Sequence, residues 1–210
     1  MKGVTKMDLQ KVFEERRSVN YFNPGRKITD ELLRKIINLA ALAPSAFNLQ
    51  PWEIIAVKSE AAKEKLFPLT NNQPKIKEAP VTLIVVGDLN GYQPENPAWA
   101  DMEAMIKNKE AVAGYQQFTD VIYGSSETRK IKFAESNAAL LAMSIMYAAK
   151  YYGVDSHPMS GIDFDGIKSQ FDLDQSKTVV MLIALGYFDD SKVLYPRRKR
   201  KDYADFVKEV

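Results

Sequence analysis

Residues 127–152 carry apolar side chains at helical spacing over about seven turns. Their middle, Ala138-Ala139-Leu140-Leu141-Ala142-Met143-Ser144-Ile145-Met146, is apolar nearly all round. A helix of that kind has no face to give to water, so it has to be a central helix with the rest of the chain built around it. Its small alanines and flexible methionines suit close packing against several partners, a second subunit among them. Gly153 follows at the place where a left-handed residue ends a helix. The uncharged run inside it, residues 136–149, is 14 residues long, short of the roughly 20 that a bilayer requires. No membrane span is expected.

The 210 residues, 46% of them hydrophobic, suffice for one sizeable core, and a single domain over residues 1–210 is expected. Net charge is +2, from 29 basic and 27 acidic side chains, which gives no ground for nucleic acid or an anionic membrane as partner. Cysteine is absent. That rules out thiol nucleophiles, thiolate metal sites and disulfides, and it fits a reducing, cytoplasmic setting. Residues 1–11 mix charges with short apolar pieces and contain no signal-like core.

Around the long helix the pattern is α+β. Runs rich in β-branched and aliphatic residues at 53–57, 81–87 and 178–186 read as strands, and 154–161 as a strand leading into a turn. Asp8 can cap a first helix with Leu9, Val12 and Phe13 on its inner face. Thr29 can cap a second, with Asp30 and Glu31 in its first turn and Leu32, Leu33, Ile36, Ile37 and Ala40 at helical spacing. Short helices are expected at 61–67 and 163–171. Residues 88–126 change character, with Pro94 and Pro97 ahead of a weak helical periodicity, and read as an added helical flap. Its Trp99, Tyr115, Phe118 and Tyr123 suit either an aromatic pocket or a loosely packed satellite core.

Four polar places stand out. The segment 43–52, A-P-S-A-F-N-L-Q-P-W, joins a helix to a strand. Pro44 drives Ala43 into extended backbone, so Ser45, Asn48 and Gln50 stand on a short irregular loop, either a plain turn anchored by Trp52 or a binding loop. Arg16, Arg17 and Ser18 fall where the first helix should end. They are either cations complementing its dipole or an anion site whose planar forks match phosphate oxygens. The polar loop Asn71-Asn72-Gln73-Pro74-Lys75 leads into a buried strand, and the basic run Tyr195-Pro196-Arg197-Arg198-Lys199-Arg200-Lys201 reads as a solvated tail or a weak nucleic-acid patch.

The chemical inventory is mostly negative. One histidine and no cysteine argue against a protein-ligated transition metal. No G-x-S-x-G elbow exists for a hydrolase built on His157, which reads as structural ahead of Pro158. Neither a P-loop nor G-x-G-x-x-G is present. No catalytic acid, base or nucleophile stands out. A chain of this kind borrows its chemistry from an organic cofactor.

Taken together, E-R-R-S-V-N, A-P-S-A-F-N-L-Q-P-W, P-M-S-G-I-D and P-R-R-K, in that order and spacing over residues 16–199, resemble the FMN-dependent nitroreductase family. The resemblance implies a nitroreductase-like α+β fold with a central mixed or antiparallel sheet flanked by helices, assembled as an intertwined homodimer with FMN at the interface. It implies that Arg16, Arg17, Ser18, Arg197 and Lys199 contact the phosphate and ribityl chain, and that Ser45 and Asn48, with Ala46 between them, come from the partner subunit. Asn72 would bond the pyrimidine end of the flavin, and Ser160 and Gly161 would lie beside its N5 edge. NADH or NADPH would donate hydride in a ping-pong cycle that reduces nitroaromatic, quinone or related acceptors. Two positions depart from the family: Asn20 replaces a common Lys or Arg, with Lys75 a substitute cation, and Ser160 replaces a common Glu. Two other readings stay open, a flavoenzyme of the same fold with one dedicated substrate, such as a halogenated aromatic or a flavin, and a non-enzymatic helical scaffold whose basic tail binds a partner.

Overall fold

The computed structural model describes residues 8–210; of the stretch 1–11 considered above, residues 1–7 lie outside them. Two strands make the centre of one four-stranded sheet, β2 (Val81–Asp88) and β4 (Lys177–Gly186), with β1 (Trp52–Val57) and β3 (Asp155–Met159) at the edges in the order β1-β2-β4-β3. All four pair antiparallel. Among the described residues a parallel pairing occurs only as the isolated bridge Ser18–Ser156, so of the two sheet types expected the antiparallel one forms.

Residues 81–87 of β2 are all buried because both faces of the sheet are covered. Val81, Leu83 and Val85 alternate with Ile84 and Val86, and each set joins a different core. On one face lie α2 (Asp30–Ala40), through Ile36 and Ala40, and the long α7 (Glu127–Tyr151), through Leu141, Ala142, Ile145 and Ala149. On the other face Leu66 of α3 (Glu60–Leu66), Ile76 of α4 (Lys75–Glu78) and Ile167 of α8 (Phe164–Gln170) pack with Phe22. Gly87 lets α7 approach closely, since a Cβ there would stand 3.0 Å from the backbone of Ala134.

The caps follow the sequence. The Thr29 hydroxyl accepts from Leu32 N–H at 3.1 Å, and Gly153, at φ 74°, takes the left-handed turn after α7. Asp8 precedes α1 (Leu9–Glu15) without a side-chain cap bond. Of the expected inner face of α1 only Val12 is buried. Leu9 and Phe13 are 67% and 53% exposed, with Phe13 lying 4.2 Å from the ring of Tyr147. The middle of α7 is buried apart from Leu140, which is 48% exposed, with Ala139, Met143 and Tyr147 half-buried beside it. The single chain therefore leaves an open apolar stripe along α1 and α7.

The flap is two helices, α5 (Ala98–Ile106) and α6 (Lys109–Tyr123). They enclose the satellite core instead of a closed aromatic pocket. Trp99 and Val112 pack with Leu49, Tyr92 and Phe133, and Tyr123 packs against them, whereas Tyr115 and Phe118 face outward. A last short helix, α9 (Tyr203–Phe206), lies in the exposed tail.

Candidate functional site

Where α1 stops, the chain runs along the edge of β3. Val19 N–H donates to Ser156 O at 3.1 Å, and Nδ1 of His157 lies 2.9 Å from Val19 O. Because that carbonyl can only accept, Nδ1 carries the proton. Val19 and Phe22 are buried, which leaves Arg16, Arg17, Ser18 and Asn20 on the outer side, lining a cleft of ≈ 260 Å³ with the tail residues Arg197, Arg198 and Arg200.

The tail is tied down there. Arg197 Nη2 donates to Arg16 O at 3.0 Å and to Glu14 O, and Arg17 Nη2 donates to Tyr195 O. The cation serving the carbonyl end of α1 is thus Arg197, which frees Arg16 from that task. Burial holds the Arg16 guanidinium below its usual range. Tyr147 opposes this, and the charges of Arg197, Arg200 and Arg17 add to it. Among the described residues no carboxylate forms an ion pair with any of these arginines. Ser18 and Asn20 leave their side chains without a hydrogen bond to any other described residue. Lys199 is not gathered into the cleft. It lies in solvent, 3.7 Å from Asp202. Arg198 and Arg200 stand in the cleft wall instead, and only their place in the basic run pointed to them.

The second polar group is formed by the turn that follows β3 and the loop that leads into α4. Asn71 and Asn72 are left-handed, at φ 52° and 54°, and Asn71 Nδ2 donates to Gly161 O at 3.1 Å. Asn72, Ser160 and Gly161 are exposed. Lys75 Nζ donates to Gln73 Oε1 at 3.1 Å. Burial holds its ammonium below the usual lysine range, with Glu78 opposing. His157 is pushed down to about 4, by burial first and then by the charge of Lys75, with the bond to Val19 opposing; it is a neutral staple between β3 and the 16–20 segment. So Arg16, Arg17, Ser18, Asn20, Lys75, Arg197 and the 71–72 and 160–161 turns share one edge of the sheet.

Ser45, Ala46 and Asn48 stand apart from that edge. Trp52 pairs with Gly87 and through it with Thr178, whereas Ser18 bridges Ser156 and through it Leu185. At about 3.3 Å per residue and 4.8 Å per strand, with Ser18 one spacing beyond β3, the two corners differ by about 23 Å along the sheet and about 19 Å across it. The loop is held where it is: Ala46 N–H donates to Asn137 Oδ1 at 2.9 Å, and Gln50 N–H to Ser45 Oγ at 2.9 Å. Phe47, Asn48 and Gln50 are all left-handed, at φ 52°, 56° and 47°, a strained run of the sort found where a loop has a task. Asn137 escaped the sequence reading; its signal was a lone amide in an apolar helix.

A model of the nitroreductase family matches residues 13–187. The chain belongs to the nitroreductase family. This family consists of oxidoreductases. "Putative NAD(P)H nitroreductase MhqN" of Bacillus subtilis is 36% identical over 195 residues, which is 92% of this chain and 94% of that one. The crystal structure of ydfN from Bacillus subtilis superposes with a TM-score of 0.87 at 34% identity, over 96% of this chain and 98% of the other. A "putative nitroreductase in complex with FMN" from Exiguobacterium sibiricum superposes with a TM-score of 0.83 at 25% identity, over 97% and 98%. As a nitroreductase this chain is an enzyme with the fold anticipated from its motifs. Among the described residues no helix is long and apolar enough to cross a membrane, and no cluster of His, Cys, Asp or Glu could hold a metal ion.

Proposed function

We propose that the chain is an FMN-dependent oxidoreductase that draws electrons from NADH or NADPH and reduces nitroaromatic, quinone or related acceptors in a ping-pong cycle. The observation that carries this is the cleft beside β3, where half-buried Arg16 and Arg17 meet the exposed arginines of the tail and, among the described residues, no carboxylate pairs with any of them. A dianionic phosphate is the partner such a donor set fits, because planar forks bind its oxygens with charge-assisted bonds. The relative solved with FMN supports the choice of anion.

Arg16, Arg17 and Arg197 would hold the phosphate, with Arg198 and Arg200 at hand and Lys199 reaching in only from solvent. Ser18 would meet the ribityl chain. Asn20, Asn72 and Lys75 would orient the pyrimidine end, and Ser160 and Gly161 would lie beside the ring. When bound, FMN would supply two-electron redox chemistry between the nicotinamide donor and the acceptor. No side chain is asked to act as acid or base, in keeping with a neutral, carbonyl-bonded His157.

Ser45, Ala46 and Asn48 reach such a site only from a second copy of the chain. The homodimer we propose also explains why Leu9, Phe13, Leu42 and Leu140 are left open to solvent on one chain. Each copy is one domain carrying the 88–126 flap, and the lack of cysteine suits a cytoplasmic setting. The test is purification followed by turnover. The protein should be yellow, elute as a dimer and oxidise NADH or NADPH when given a nitroarene or quinone. A colourless dimer that binds no added FMN would refute the assignment.

A further inference from the structure

A second groove, unused by the cofactor assignment, lies between the end of α6 and the first turns of α7. Its volume is ≈ 320 Å³, and Ile122, Tyr123, Arg129, Lys132, Phe133 and Asn137 line it. Its floor is aromatic and fixed. The rings of Tyr123 and Phe133 lie 4.4 Å apart, and Tyr92 meets Phe133 edge-on at 5.7 Å. Its rim is cationic. Arg129 and Lys132, three residues apart, share one face of the helix, and both are exposed.

The nearby acids on α7 are engaged elsewhere. Glu127 pairs with Lys130 at 3.4 Å, and Glu135 accepts from the Thr178 hydroxyl at 3.1 Å. Among the described residues neither Arg129 nor Lys132 has an ion-pair partner. The groove also adjoins the strained 45–50 loop, because Asn137 donates to Phe133 O at 2.7 Å while accepting from Ala46 N–H at 2.9 Å.

We infer that this groove selects for aromatic ligands that carry an anionic group, the ring resting on Tyr123 and Phe133 and the anion between Arg129 and Lys132. The inference rests on the oxidoreductase reading above: if the 45–50 loop reaches the partner's cofactor, the groove opens beside the place where donor and acceptor bind. The anion can then belong to the hydride donor, as the ribose phosphate that distinguishes NADPH from NADH, or to the acceptor, as an aromatic carboxylate.

The test compares wild type with Arg129→Gln/Lys132→Gln, both as purified. Calorimetric titration with 2-naphthoate and its neutral counterpart 2-naphthamide reads the groove without turnover. Wild type should prefer the carboxylate by up to about fivefold, the most that one exposed ion pair of about 1 kcal/mol supplies, and the variant should lose that preference. Steady-state kinetics then locate the source. A drop in kcat/KM confined to NADPH assigns the anion to the donor, and one confined to 4-nitrobenzoate, with 4-nitrobenzamide unchanged, assigns it to the acceptor. No carboxylate preference in wild type, or one that survives in the variant, overturns the inference while leaving the FMN assignment standing. A carboxylate preference in a protein that binds no FMN keeps the groove and overturns the oxidoreductase reading instead.

Discussion

Replacing Arg16 by alanine should weaken FMN binding and leave the apoprotein at least as stable as before. The two halves of this prediction have different origins. With FMN bound, Arg16 would supply a charge-assisted hydrogen bond to the phosphate, worth about 1.5–3 kcal/mol. At 1.4 kcal/mol per decade that is roughly a 10- to 150-fold rise in Kd. Without FMN, the same guanidinium is half-buried beside Arg17, Arg197 and Arg200 with no carboxylate to balance it. The downward shift of its pKa, due first to burial and then to the neighbouring arginines, means that the folded state disfavours its charge, so removing it relieves a desolvation cost and some repulsion. The aliphatic stem of Arg16 contributes some packing in the other direction. The net effect on the apoprotein is therefore near zero or stabilising. Fluorescence titration with FMN gives Kd, and thermal unfolding of the stripped protein gives Tm. A purely structural arginine would show the reverse: FMN affinity within about twofold of wild type and, for each 1 kcal/mol lost, a fall in Tm of about 2–4 °C for a chain of this size. That pair of results would refute the reasoning. Arg16→Lys, which keeps charge without the fork, should lie between wild type and alanine.

Three further outcomes are expected. His157→Gln should leave turnover nearly unchanged but flatten the pH dependence of stability. Its folded pKa of about 4 lies below the ordinary 6.5, so its contribution is complete above about pH 6.5 and is lost as pH falls towards 4; urea denaturation across that window reads it. Asn20→Lys should raise the bound-FMN potential by some tens of millivolts. A charge near the flavin edge is worth about 1–2 kcal/mol after desolvation, at about 30 mV per 1.4 kcal/mol for two electrons; an unchanged spectroelectrochemical midpoint would place Asn20 away from the ring or show Lys75 already in that role. Leu140→Lys puts a charge on the open stripe of α7 and should shift light scattering towards monomer, together with loss of FMN. A dimeric, FMN-loaded Leu140→Lys would place the interface elsewhere.

Much of the fold was legible because local rules and tertiary demands agree along this chain. Val81 to Val86 could only be a strand covered on both faces, and Thr29 and Gly153 are cap residues doing what their side chains or freedom at positive φ permit. The inner face given to Leu9 and Phe13 shows where such rules stop. Helical spacing says which residues share a face, not whether that face meets the same chain or another one. The site was legible in its pieces. Arg16 and Ser18 were conspicuous as polar residues at a helix end, but nothing local could show that Arg197 would take over the carbonyls of Glu14 and Arg16, or that Lys199 would point away while Arg198 and Arg200 line the cleft. Those relations span more than 180 residues of chain and depend on where the tail folds back. Asn137 was missed for a related reason, since its bond to Ala46 joins two segments 91 residues apart.

The central claim is that each site is built by two chains, one giving the β3-edge arginines and the other the 45–50 loop. Co-expressing differently tagged Arg16→Ala and Ser45→Ala chains, isolating the mixed dimer and titrating it with FMN tests this directly. If the sites are shared, one site of the mixed dimer carries both substitutions and the other carries neither, so binding should be biphasic, with half of the FMN held at wild-type affinity. A single weakened phase, with no site of wild-type affinity, would mean that Arg16 and Ser45 serve the same site within one chain and would contradict the account.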